Sequence, residues 1–158
     1  MRADLAELRP ASLGGFGAWL RRMFGPAAPR PRVSASPTVR LGAPLEVEWR
    51  LEPARGTQLV TLSLVGSEVA RRRISARTGI SILTERHTFF VVELDRVAPA
   101  RDALEAHGRG ATEVPAGLVP SLAAKFNDIS WVVVVEILGA GAQTWREEFP
   151  LTVLPVQR

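Results

Sequence analysis

At 158 residues, with 46% apolar and 23% charged residues, the chain has ordinary globular composition and is long enough for one domain with a sizeable core. It contains no cysteine, which excludes disulfides, thiolate metal sites and a cysteine nucleophile. Its net charge of +4 sits in residues 1–32, where six Arg face Asp4 and Glu7; the remainder is neutral, so nucleic-acid binding by it is not expected.

No apolar run approaches the roughly 20 residues of a spanning helix. The start of the chain also lacks the apolar segment of a secretory signal. A cytoplasmic protein is expected, with peripheral membrane association left open.

The N-terminal 32 residues read as an arm. "SLGGFGAWLRRMFG" (Ser12–Gly25) places Leu13, Phe16, Leu20 and Phe24 at helical spacing, with Trp19 alongside and Arg21 and Arg22 near the C-terminal end. Ser12 suits an N-cap and the arginines suit the dipole, whereas three glycines weaken the helix. "GPAAPRPR" (Gly25–Arg32) is a stiff, extended linker. Three roles stay open for the short amphipathic helix: docking on its own domain, lying at a membrane interface, or remaining unstructured.

From Val33 the apolar period becomes two. "LEVEWRL" sets Leu45, Val47, Trp49 and Leu51 on one face and Glu46, Glu48 and Arg50 on the other, a half-buried strand. "QLVTLSLVG" is a second strand, with Leu62 and Leu64 inward, and "EVARRRI" a short third. "GISILTERHTFFVVEL" holds one long or two short strands. Pro99–Gly110 is expected to be a loop, with a helical turn at Asp102–His107 closed by Gly108, followed by a short strand at "ATEVPAG". Ser130–Ile137 and Gln143–Leu154 complete the set across "GAGA". Seven or eight strands without intervening helices predict an all-β, antiparallel immunoglobulin-like sandwich over residues 33–158.

Two strands are apolar on both faces. In "ISWVVVVEI", Ile129, Trp131, Val133, Val135 and Ile137 are assigned to the core, leaving Val132 and Val134 outside. In "FFVVEL", Phe89 and Val91 oppose Phe90, Val92 and Leu94. Something must cover the surplus: loops, the arm, a second copy or a protein partner. The candidate interaction surface is therefore Phe16, Trp19, Leu20 and Phe24 of the arm with Phe90, Val92, Val132 and Val134 of the strands.

No residues form a catalytic or metal-binding constellation. His87 and His107 lack metal-ligand spacing, and no nucleophile elbow or phosphate-cradling glycine motif occurs. Asp95, Asp102 and Glu105 read chiefly as a solvated loop, with an acidic pair as the sharper alternative. "ARRRI" (Ala70–Ile74) reads chiefly as charge that protects a sheet edge, with phosphate or an acidic peptide as the sharper alternative. No cofactor or metal is expected.

The order of short signals resembles the arrestin-like domains. These signals are Gly42 before "LEVEWRL", "LVGSE" (Leu64–Glu68), "TFFVVEL" (Thr88–Leu94), "VP" (Val114–Pro115), "PS" (Pro120–Ser121), "ISWVVVVEI" (Ile129–Ile137) and "FPLTVLP" (Phe149–Pro155). The chain has room for one such sandwich. The resemblance implies a non-catalytic protein-interaction or scaffold module, of a kind often attached to membrane proteins in bacteria. The alternative is a ligand-binding or enzyme-accessory sandwich whose pocket the sequence does not expose.

Overall fold

A computed structural model describes residues 5–11, 29–53, 56–76 and 79–157. The helix expected over Ser12–Gly25 lies outside the described residues. Ten strands are present among the described residues: β1 (Ala6–Glu7), β2 (Arg32–Ala35), β3 (Thr38–Arg40), β4 (Pro44–Leu51), β5 (Leu59–Ala76), β6 (Gly79–Val97), β7 (Ala106–Glu113), β8 (Leu122–Ala123), β9 (Asn127–Leu138) and β10 (Thr144–Leu154). They form two sheets. Sheet I runs β1-β2-β4-β7, and sheet II runs β3-β10-β9-β5-β6 with β8 added to β9. Among the described residues only β3 and β10 pair in parallel; the remaining pairs are antiparallel.

The core lies between the sheets. Sheet I contributes Val33, Leu45, Val47, Trp49 and Leu51, which is the period-two face of β4 with its neighbour on β2. Sheet II contributes Leu62, Leu64, Trp131, Val133, Val135 and Phe149. Trp49, Leu62, Leu64, Trp131, Val133 and Val135 are each at most 3% exposed, as their alternation predicts. Full burial of a side chain of this size stabilises the fold by about 1.5–3 kcal/mol. Leu8, just after the two-residue β1, also joins this core, and its N–H donates to the Val33 carbonyl at 2.8 Å.

Several boundaries differ from those expected. "EVARRRI" is not a separate strand. It is the far half of an 18-residue β5 that pairs along its length with the 19-residue β6. Residues 106–110 are not a loop or a helical turn. Ala106–Glu113 pairs with β4 from Leu51↔Ala106 to Pro44↔Glu113, so His107 and Gly108 sit in a strand. The reason is close packing rather than strand propensity: a Cβ on Gly108 would strike the Asp95 carboxylate and the Trp49 indole, and one on Gly110 would strike Leu94. Two glycines thus allow sheet II to approach sheet I at this edge.

The short turn motifs have structural work. Gly42 has φ of 78°, a left-handed conformation suited to glycine, and its N–H donates to the carbonyl of buried Val114 at 2.6 Å. Ser121 closes on β10 twice: its N–H donates to the Val153 carbonyl, and its Oγ accepts the Val153 N–H, both at 2.8 Å. The Trp131 indole donates to the Val119 carbonyl at 3.0 Å, tying the same loop to the core.

Candidate interaction surface

Two bulges in β6 decide which of its residues face the core. Gly66 pairs with Phe90 while Ser67 pairs with Thr88, leaving Phe89 as the extra residue. Leu62 pairs with Asp95 while Ser63 pairs with Glu93, leaving Leu94 extra. Each extra residue lets two consecutive side chains turn inward. Phe89 and Phe90 both meet Trp131, at centroid distances of 5.6 and 5.5 Å. Leu94 packs on the core, and Asp95 accepts a hydrogen bond from the Trp49 indole at 2.8 Å.

The expectation that Phe90 and Val92 lie on an outer apolar face is therefore corrected. Both are half-buried and packed against the core, and Val91, 62% exposed, points outward instead. Asp95 is likewise no solvated loop residue; it is half-buried in β6.

Val132 and Val134 do lie on the outer face of sheet II. With Val65 they form a second, small apolar cluster separate from the main core. The register places Pro150, Val132, Val65 and Val91 side by side across β10, β9, β5 and β6. Below this strip the Ser67 and Ser130 hydroxyls hydrogen-bond each other at 3.1 Å. Above it, Arg146 bridges Glu136 at 2.7 Å and Glu148 at 3.2 Å, and Arg86 reaches Glu148 at 3.4 Å. Arg96 holds Glu93 through two guanidinium nitrogens, keeping that carboxyl below its ordinary range. Phe16, Trp19, Leu20 and Phe24 of the candidate surface lie outside the described residues.

Beside this face runs an open sheet edge. Among the described residues β6 is the last strand of sheet II and pairs only with β5. Beyond Ala70↔Asn127, β5 has no strand partner but β6 among the described residues, so the two continue as a two-stranded ribbon. At its root Arg71 bridges Asp128 at 2.5 Å. That bond and the Ala124 N–H hold the Asp128 carboxyl below its ordinary range.

The outer side of sheet I differs in character. Arg32, Ser34, Glu48, Arg50, His107 and Arg109 line a shallow, open groove. Within it, Arg109 lies 2.5 Å from Glu46 and 4.0 Å from Glu48. Among the described residues no buried side-chain polar atom lacks a partner, and no three His, Asp or Glu side chains converge as a metal site would need. His87 is exposed on β6 opposite Glu68. Among the described residues no helix is long and apolar enough to cross a membrane.

Two sheets with this strand order, packed face to face around one core, form an arrestin-like β-sandwich. Among solved structures, Spo0M, a sporulation control protein from Bacillus subtilis, has a similar fold, with a TM-score of 0.55 and 12% sequence identity. The match covers 84% of this chain and 51% of Spo0M, so this chain spans about half the length of that protein. No protein-family model matches the chain. No curated protein matches it either.

Proposed function

We propose that the protein is a non-catalytic interaction module that takes a protein partner on sheet II, along the free edge of β6. The observation that carries this reading is the pairing of an open strand edge with an adjoining apolar strip. Val91 is the exposed member of that strip, with Val65 and Val132 buried behind it, and among the described residues β6 has no strand partner on its outer side. An added strand would gain main-chain hydrogen bonds from the edge and side-chain contacts from the strip, the usual logic of strand addition. An edge left this long without a function is a liability that proteins normally shorten or cover. The scaffold role implied by the arrestin-like resemblance agrees with this reading.

The test is site-specific photocrosslinking in the native cell. A photoreactive residue at Val91 should yield a discrete crosslinked species of partner or second copy, and one at Glu48 on sheet I should not. Equal crosslinking at both positions, or none at Val91, would refute the assignment of sheet II. A second copy as the partner would appear as a crosslinked dimer in the purified protein.

A further inference from the structure

The body of the chain is neutral only in total. Between Val69 and Arg86, the far part of the β5–β6 hairpin, there are five Arg (71, 72, 73, 77 and 86) against Glu85 alone. The rest of residues 33–158 carries the opposite excess. Arg71 and Arg86 are answered by Asp128 and Glu148 at the ribbon's root, which leaves Arg72 and Arg73 as the unpaired cations of its described far part.

The same element exposes aliphatic side chains. Ile82 is 65% exposed, Ile74 41% and Leu83 40%. Cross-strand pairing sets their faces: Arg72 lies opposite Leu83 and shares a face with Ile74, while Arg73 lies opposite Ile82 on the other face. Both faces therefore carry an arginine and an aliphatic residue. Neither Arg72 nor Arg73 makes an ion pair among the described residues. The loop at the ribbon's root continues the pattern. The Arg71 N–H donates to the Phe126 carbonyl at 2.7 Å, Phe126 is exposed, and the Lys125 ammonium lies 5.4 Å from its ring centroid.

We propose that the far half of the β5–β6 ribbon, which carries Arg72, Arg73, Ile74, Ile82 and Leu83, docks end-on into an anionic lipid surface. A folded protein partner reads one face of a ribbon. A lipid interface surrounds the tip and meets the apolar and cationic groups of both faces at once. Ile74, Ile82 and Leu83 would enter the boundary between headgroups and acyl chains, and Arg72 and Arg73 would extend their guanidinium groups to lipid phosphates. Depth is limited by the backbone. The outer edges of a two-stranded ribbon carry unpaired N–H and C=O groups that hydrocarbon cannot satisfy, so the strands stay at headgroup level. The proposal stands apart from the strand-addition reading, because it concerns the tip rather than the edge beside Val91.

The experiment is co-sedimentation of the full chain with vesicles of phosphatidylcholine alone and of phosphatidylcholine mixed with phosphatidylserine. Binding is expected only to the mixed vesicles and is expected to weaken with salt. Replacing Arg72 and Arg73 together with Ala should lower the vesicle affinity by about 20–30-fold, given the usual attraction of each basic residue to an anionic surface. Ile82→Ser should lower it too; both variants change exposed side chains, and an unchanged thermal midpoint would show that the fold is intact. Because the chain has no cysteine, Ile82→Cys allows a single polarity-sensitive label. Its emission should shift to the blue on mixed vesicles, whereas a label at Glu48→Cys should not respond. The proposal is overturned if the chain ignores anionic vesicles, or if binding persists in the ribbon variants. It is also overturned if replacement of residues 12–28 by a Gly/Ser linker of equal length abolishes binding while the ribbon stays intact.

Discussion

The indole N–H of Trp49, on β4 of sheet I, donates to Oδ2 of Asp95, on β6 of sheet II, at 2.8 Å. One hydrogen bond thus spans the two layers at the edge where Gly108 lets them meet. Trp49 is 3% exposed, so water does not readily replace the acceptor. Asp95→Ala should destabilise the protein by about 1–3 kcal/mol, chiefly by leaving a buried donor without a partner. Asp95→Asn, which keeps an acceptor oxygen, should lose less. Urea unfolding followed by tryptophan fluorescence measures both. An Ala variant with the parent midpoint would show that the bond contributes nothing.

Gly66 stands where the outer bulge of β6 begins. A Cβ there would lie 2.7 Å from Cε2 of Phe89 and 3.2 Å from the ring of Trp131. Both rings are held by the core, so neither yields freely. Gly66→Ala should therefore destabilise by roughly 1–3 kcal/mol, as overpacking does. Adding Phe89→Leu should recover part of that loss, so the two changes will not be additive. Strict additivity in a double-mutant cycle would place the cause elsewhere.

This glycine also marks how far the sequence could be read. Strict alternation in "LEVEWRL" has one structural solution, and the structure agrees with it residue by residue. The doubly apolar β9 announced its two buried faces for the same reason: Trp131, Val133 and Val135 belong to one cluster, Val132 and Val134 to another. Phe90, Val92 and Leu94 share one face, as their spacing implies, but alternation alone does not say which face is inner; the register with β5 sets Val92 opposite core Leu64 and Val91 opposite Val65, and the bulge at Phe89 turns a second ring inward. The strand expected at "ATEVPAG" begins earlier than its sequence suggests, because Gly108, Gly110 and His107 lack strand propensity; their place is set by pairing with β4, and the approach of Asp95 and Leu94 from the opposite sheet leaves room only for glycine at 108 and 110. The charge of the ribbon was visible as residues but cancelled in the total until the hairpin set it apart.

Acid and base titrations should separate two carboxylates. Burial pushes the Glu147 carboxyl above its ordinary value, and Arg30 offsets part of that push. The folded state then holds its proton more tightly than the unfolded chain does. Stability is fullest below the ordinary glutamate range and falls as pH rises through the raised folded value. Glu147→Gln should thus raise the thermal midpoint at pH 7, with the gain shrinking on acidification through that window. Asp128 has the opposite sign. Arg71 and the Ala124 N–H depress its carboxyl, so its contribution is present above the ordinary aspartate range and is lost as pH falls through the depressed value. Asp128→Asn should lower the midpoint at pH 7 and converge on the parent in acid. Parallel midpoint-versus-pH curves for parent and variants would contradict both assignments.

The last prediction concerns what lies over Val65, Val132 and Val134, which are 8%, 9% and 1% exposed on the outer face of sheet II. The Ala11 N–H donates to the Glu148 carbonyl at 2.7 Å, and Glu148 lies opposite Val134 in the β9–β10 register. The chain therefore leaves Ala11 beside the valine strip, and it is next described at Pro29, ahead of β2 in sheet I. Between them, residues 12–28 carry Phe16, Trp19, Leu20 and Phe24, whose apolar surface needs burial of its own. We propose that these side chains cover the valine strip, within one chain or between two copies. Deleting residues 1–32 is a poor test, because it also removes β1, Leu8 and the start of β2 from the sandwich. Replacing residues 12–28 by a Gly/Ser linker of the same length leaves those contacts in place. The variant should bind more of a hydrophobic dye and should lose solubility or change its sedimentation coefficient, since each uncovered valine forfeits up to about 1.5–3 kcal/mol of burial. Val132→Thr and Val134→Thr, added to the linker variant, should reduce the dye binding. If the linker variant matches the parent in dye binding, sedimentation and thermal midpoint, the arm is not the cover, and its aromatic residues belong to another surface.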